Sequence, residues 1–184
     1  MAECNSEKRI ERIAGASLDF GEYRKERFSD DELWSALCGT FSSRARHDTS
    51  YKYAFMKAIL DNLYNIDDAY ALTFDQLFSK FAEIYWNLIL KYNIKQKSGS
   101  KTSYIEQILK DAKLKYQLTE DVPFEALQTA AKEDICLKVK QKCKNNVVGA
   151  LYGDTQQLFY SFNIAEQRVA LNPAMYHFLC KHKL

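Results

Sequence analysis

The stretch from Thr73 to Tyr92, TFDQLFSKFAEIYWNLILKY, decides the fold. Thr73 and Gln76 form the pattern of a capping box, in which each side chain accepts a hydrogen bond from the backbone N–H of the other residue. Apolar residues then recur at every third or fourth position, which is typical of a helix. Further Phe, Trp, Ile and Leu residues leave little of the circumference polar. The stretch therefore predicts a central, buried helix over 74–92.

Other helix signals lie on both sides of this stretch. Ser29 and Glu32 form a second capping-box pattern, and Ser103 and Glu106 form a third. The apolar spacing after Ser50 predicts another helix of about four turns. Only 2 Pro and 6 Gly occur in 184 residues, so helix breakers are few. The composition therefore favours helix as well.

The last third of the chain changes character. Asp121 and Pro123 favour the start of a long helix that continues to about 145–146. Strand-forming residues over 158–162 and 168–171 then predict one β-hairpin. A last helix follows from Asn172 and Pro173.

The predicted fold is mainly α, a helical domain with one small β-hairpin near the C-terminus. We expect an N-terminal helical part over 1–94, a basic linker over 95–102, and a second part over 103–184 with a helix pair, the hairpin and a C-terminal helix. A helix pair followed by a hairpin is also the order of a winged helix-turn-helix. The second half is therefore open to a winged-helix-like interpretation.

Composition excludes several classes of protein. Hydrophobic residues make up 47% and charged residues 27%, as in a globular protein, and no apolar stretch is long enough to predict a membrane span. The first eleven residues are polar, unlike a secretory signal. The 5 Cys contain no CxxC pair, which favours buried free thiols in a reducing compartment. We therefore expect a cytoplasmic protein that does not interact with membranes.

Motifs of catalysis are missing from the sequence. It contains no GxSxG, no GxxxxGK[ST] and no GxGxxG. Asp111-Ala112-Lys113 matches the short acid-x-Lys element of some nucleases, but it lies in a helical pattern. Asp67 and Asp68 are adjacent carboxylates that suit a cation or, more simply, the approach to a helix. We therefore predict that the protein is not an enzyme and has no metal or cofactor.

Cationic residues suggest binding instead. Between Lys91 and Lys115 the sequence has seven Lys and two acids, although the net charge of the whole chain is only +2. Lysines crowding the end of the long helix suit the helix dipole or, alternatively, phosphate groups. The predicted binding residues are Lys138, Lys140, Lys142 and Lys144 on this helix, Arg44 and Arg46 before the helix at Ser50, and Lys95, Lys97 and Lys101 in the linker.

Five stretches carry a family resemblance, namely 50–54 (SYKYA), 57–60 (KAIL), 81–86 (FAEIYW), 144–162 and 171–173 (LNP). Together they resemble the amino-terminal region of bacterial and phage proteins that have an HNH endonuclease domain at the carboxyl end. The likeness covers about 44–184. In such proteins a nuclease half with metal-binding histidines follows, whereas this sequence ends at Leu184. The resemblance therefore implies a helical accessory module and not the catalyst.

Two hypotheses follow. In one, the chain is a non-catalytic inhibitor from a phage or mobile element that obstructs an RNA-guided CRISPR nuclease, an anti-CRISPR protein. In the other, it is the DNA-binding accessory module of an HNH endonuclease. The expected partner is DNA or a nuclease–RNA complex, and the oligomeric state stays open, a homodimer included. A small hydrolase is a third, residual class.

Overall fold

A computed structural model describes residues 18–25, 27–42, 50–96, 102–119 and 122–182. This part of the chain contains six α-helices and four short strands. Their bounds are β1 Phe20–Gly21, α1 Asp30–Phe41, α2 Tyr51–Asp61, β2 Ala71–Thr73, α3 Phe74–Trp86, α4 Tyr104–Lys115, α5 Thr129–Asp154, β3 Tyr160–Asn163, β4 Arg168–Leu171 and α6 Pro173–His182. The prediction of a mainly helical fold with a hairpin near the C-terminus is confirmed.

Helix α3 is the central buried helix that the sequence predicts. Thr73 and Gln76 complete the capping box at its start. Phe78, Phe81 and Tyr85 have no exposed surface. After Trp86 the helix widens into one π-helical turn over 87–91, which ends with a hydrogen bond from the Tyr92 backbone N–H to the Asn87 carbonyl at 3.0 Å. The predicted helix over 74–92 is therefore present as far as Lys91, with a π-helical last turn.

The other helices pack around α3. Helices α2 and α5 both contact α3 and each other, and α4 lies against α5. One hydrophobic core includes Phe55 from α2, Phe81 from α3 and Val139 from α5. Residues from both sides of the predicted linker therefore contribute to the same core.

The hairpin lies inside a larger sheet. Strands β3 and β4 pair antiparallel, as predicted, but β1 pairs with β3 and β2 pairs with β4, which gives the order β1-β3-β4-β2. The expectation of a lone hairpin was therefore incomplete. The wing of a winged helix-turn-helix is a hairpin that contacts the DNA backbone. Here β3 and β4 are the two inner strands of the sheet. This hairpin therefore does not project from the fold as a wing does.

Helix α5 differs from the prediction at both ends. Pro123 precedes a short 3-10 turn over 124–126, and α5 begins only at Thr129. Its C-terminal end lies at Asp154, beyond the predicted end at 145–146. Val148 and Leu151 are fully buried there. Burial of this last part by the surrounding core outweighs the weak local helix preference of its Asn, Val and Gly residues.

Two of the three predicted capping boxes are complete. Ser29 and Glu32 form both hydrogen bonds at the start of α1. At α4, Ser103 accepts the hydrogen bond from the Glu106 backbone N–H, but the Glu106 carboxylate accepts from the backbone N–H of Gln96 at 2.7 Å instead. The Glu106 side chain therefore holds the backbone at Gln96 against the first turn of α4.

Candidate nucleic-acid interface

Two lysines from different helices share one carboxylate. The Asp134 carboxylate on α5 accepts hydrogen bonds from the Lys115 ammonium of α4 at 2.9 Å and from the Lys138 ammonium at 3.0 Å. The Tyr116 hydroxyl donates to the same oxygen at 3.0 Å. Lys115 lies in the last turn of α4 and Asp134 in the second turn of α5. The packing of α4 against α5 brings these two residues into contact.

Lys142 extends this row by one helical turn. It follows Lys138 by four residues, so both project from the same side of α5. Its side chain is exposed and forms no ion pair within the described ranges. We call Lys115, Asp134, Lys138 and Lys142 the α4–α5 ridge. The ridge holds three cations and one anion, and so carries an excess of positive charge.

The hydrogen bonds at Asp134 also define its protonation. The donating Lys115 and Lys138 ammonium groups lower the pKa of Asp134 from an ordinary 3.8 to about 2. The bond to Asp134 likewise raises the pKa of Lys115. Near neutral pH the Asp134 carboxylate and the Lys115 ammonium therefore both stay charged.

Lys140 belongs to a different part of the surface. At 3.6 residues per turn it lies about 160° around α5 from both Lys138 and Lys142. Its ammonium is 2.6 Å from the Asp75 carboxylate and donates to the Gln167 side-chain oxygen at 3.0 Å. Only 14% of the Lys140 side chain is exposed. Lys140 therefore joins α5 to α3 and to the hairpin turn.

The remaining predicted residues have mixed placements. Lys144 is half-buried on the side of α5 that carries Lys140, and it forms no ion pair within the described residues. Lys95 is exposed at the end of the chain segment after α3. Four predicted residues, namely Arg44, Arg46, Lys97 and Lys101, lie outside the described residues.

The described residues that border these two basic segments are close together. Ser50, which follows the segment with Arg44 and Arg46, donates a hydrogen bond from its hydroxyl to the Gln96 carbonyl at 3.5 Å. Gln96 precedes the segment with Lys97 and Lys101. The fold therefore attaches both predicted basic segments at neighbouring points.

A buried polar cluster supports this junction. The hydroxyls of Ser50 and Tyr85 are hydrogen-bonded at 2.8 Å. Burial raises the pKa of Tyr85 and brings that of Tyr51 to about 12, so both phenols stay neutral. The Gln96 amide lies near the Tyr85 hydroxyl, but its side-chain atoms form no hydrogen bond with any residue that the structure describes. The cluster joins α2, α3 and the approach to α4.

Sequence reasoning missed Lys115 and Asp134 as members of the site. The spacing of four residues between Asp134 and Lys138 was a signal for an ion pair on one helix face. The contact between Lys115 and Asp134 had no local signal, because it depends on how α4 and α5 pack. The helix dipole interpretation of the lysines fails in part, since α5 ends at Asp154 and not near Lys144.

Two of the carboxylates considered for metal binding, Asp67 and Asp111, have other partners. One Asp67 oxygen accepts hydrogen bonds from the backbone N–H groups of Ala69 and Ala71, and the other is paired with Arg168. Asp111 lies on α4 and accepts a hydrogen bond from Gln107. Within the described ranges no cluster of His, Cys, Asp or Glu suits a metal ion.

The cysteines in the described part are free thiols, as expected, but only some are buried. Burial raises the pKa of Cys143 to about 12, which suppresses its thiolate. Cys136 is half-buried, whereas Cys38 and Cys180 are exposed, so the expectation of buried thiols is wrong for these two. Their helices, α1 and α6, lie at the periphery of the core.

No protein-family model, no curated protein and no solved structure matches this chain. None of the helices in the described ranges combines the length and the apolarity that crossing a membrane requires.

Proposed function

We propose that this chain is a non-catalytic module that binds nucleic acid or a nucleoprotein complex in the cytoplasm. The observation that carries the proposal is the α4–α5 ridge, where two ammonium groups share one carboxylate and the exposed Lys142 adds a third cation. Lysine ammonium groups bind phosphates and release counterions, which supplies most of the affinity of sequence-independent contacts. The ridge thus suits a polyanionic partner, DNA or the RNA of a nuclease–RNA complex.

The finer proposal is that the chain inhibits an RNA-guided CRISPR nuclease. It rests on the resemblance to the non-nuclease region of HNH endonuclease proteins together with the ridge. The alternative, a DNA-binding accessory module, requires the same cations but a duplex as partner. The two differ in whether the chain binds strongly to DNA on its own.

Titration of a labelled duplex of about 20 base pairs at several salt concentrations tests the proposal. We expect the affinity to fall steeply with salt, and the double variant Lys138→Glu/Lys142→Glu to weaken binding and reduce the logarithmic salt slope by about 2. Lys25→Glu/Lys57→Glu is the matched control. It makes the same change in net charge at surface pairs elsewhere in the fold, Lys25–Glu22 and Lys57–Asp61.

A parallel arm adds an RNA-guided nuclease and measures target cleavage. Inhibition of cleavage that the ridge variant loses and the control retains supports the inhibitor. Tight duplex binding without inhibition supports the accessory module. Equal affinities of wild type, ridge variant and control for every nucleic acid and complex would contradict the proposal.

A further inference from the structure

A segment without acidic residues and with exposed aromatic side chains connects α3 to α4. No Asp or Glu occurs from Ile84 to Ile105. Tyr92 is 59% exposed and Tyr104 is 70% exposed. Lys91 and Lys95 are also exposed on this segment. Two cations and two large aromatic rings therefore face solvent with no anion contributed by the same segment.

The backbone holds these residues in place. The Ile94 backbone N–H donates to the Leu88 carbonyl at 2.7 Å, which folds the chain back after the π-helical turn. Two residues later, the Gln96 backbone N–H donates to the buried Glu106 carboxylate. This bond brings the end of the Lys91–Lys95 segment to the first turn of α4, where Tyr104 lies. Tyr92 and Tyr104 thus flank one anchored junction.

The exposed rings have the chemistry of a stacking surface. The Lys91 ammonium lies 5.2 Å from the centroid of the Tyr92 ring, a cation–π distance. Cations beside exposed aromatic rings are the usual combination in proteins that bind single strands, because phosphates contact the cations while bases stack on the rings. The bases of a duplex are stacked on each other and do not offer their faces.

We propose that Lys91, Tyr92, Lys95 and Tyr104 bind single-stranded nucleic acid, with the two tyrosines stacking on bases and the two lysines contacting phosphates. This inference rests on the proposed function and specifies its substrate class. It assigns the α3–α4 surface to a single strand, whereas the α4–α5 ridge contacts phosphates of either form. A protein partner would also use exposed tyrosines, but it would not produce base stacking.

The test uses the full chain with labelled oligo-dT of about 12 nucleotides and a duplex of equal length. We expect Tyr92→Ala/Tyr104→Ala to weaken binding to oligo-dT at least tenfold and to change duplex affinity less than twofold. Tyr92→Phe/Tyr104→Phe should keep the affinity for oligo-dT, because the ring and not the hydroxyl stacks. Tyr64→Ala is the control, since Tyr64 is 84% exposed on a different element.

A second double variant, made at the lysines, shows whether a loss of binding comes from misfolding. Lys91→Glu/Lys95→Glu should also weaken binding to oligo-dT, with an unchanged circular dichroism spectrum. If ridge variants reduce duplex binding while the tyrosine variants bind oligo-dT as wild type does, the inference is wrong and the proposed function stands. Failure of the wild type to bind any nucleic acid, alone or in a nuclease–RNA complex, would overturn both.

Discussion

The Lys140 ammonium lies 2.6 Å from the Asp75 carboxylate, 65 residues away in the chain. Asp75 stands in the first turn of α3, where a carboxylate is already favoured by the helix dipole. The Lys140 side chain is largely buried but the Asp75 side chain is 80% exposed, so water still screens the ion pair and its contribution is modest. One of the four lysines predicted for binding on α5 therefore contributes to stability.

We expect Lys140→Met to lower the free energy of unfolding by about 1 kcal/mol, because an ion pair and a hydrogen bond to Gln167 are lost. Urea unfolding of Lys140→Met and Lys142→Met gives the comparison, since Lys142 is exposed on the same helix. Asp75→Asn should cost little further stability once Lys140 is Met. Equal unfolding midpoints for the wild type and Lys140→Met would contradict this role.

Asp134→Asn should strengthen binding to nucleic acid and weaken the fold at neutral pH. The change releases the Lys115 and Lys138 ammonium groups from a carboxylate, but it removes the Lys115–Asp134 ion pair between α4 and α5 and the Asp134–Lys138 pair within α5. Fluorescence anisotropy with a labelled duplex and thermal unfolding measure the two effects. The control is Glu133→Gln, which alters net charge equally on the neighbouring residue; a similar gain in affinity there would show that only net charge matters.

Acid should destabilise the fold partly through Asp134. Its pKa is about 2 in the folded chain and near the ordinary 3.8 when unfolded, so the unfolded state binds the proton more readily. Its contribution to stability is therefore complete above about pH 4 and is lost as the pH falls towards 2. Urea unfolding should be measured between pH 5 and pH 2 at steps of about half a pH unit. The free energy of unfolding should decline less steeply with falling pH for Asp134→Asn than for the wild type. An identical pH profile for both proteins would refute the assignment.

Two glycines should respond to Ala in opposite directions. A Cβ on Gly21 would lie 2.5 Å from the Tyr152 ring and 2.8 Å from the Phe162 ring, so Gly21→Ala should cost about 1–3 kcal/mol through overpacking. Gly39 lies within α1 with nothing near its Cβ position, and Gly39→Ala should add about 1 kcal/mol through helix propensity. Thermal unfolding measures both, and a stabilised Gly21→Ala would disprove the close packing of β1 on α5.

The two tryptophans also differ. Trp86 is 1% exposed, and its indole N–H donates to the Val122 carbonyl at 2.9 Å, so Trp86→Ala should cost roughly 3–5 kcal/mol. Trp34 packs edge-on against the Phe178 ring but is 48% exposed. Trp34→Ala should therefore lower the free energy of unfolding clearly less than Trp86→Ala does. Chemical unfolding followed by circular dichroism compares them. Similar losses would mean that α3 is not the centre of the core.

Local pattern predicted the helices well because their signals lie within a few residues. The Thr73–Gln76 capping box and the apolar spacing after it place the start and the buried face of α3 correctly. Strands β3 and β4 were also predictable, since each alternates buried and less buried residues. Strands β1 and β2 were not, because strands of two or three residues have no periodicity and depend on hydrogen bonds to β3 and β4.

The sequence by itself determined the helical class, the central position of α3 and the excess of lysines on α5. Tertiary structure alone decided which lysines face solvent and which join elements. Lys140 and Asp75, and likewise Lys115 and Asp134, meet only after α3, α4 and α5 have packed. The physical reason is range: caps and periodicity act over three or four residues, whereas ion pairs depend on distances that the packed core sets.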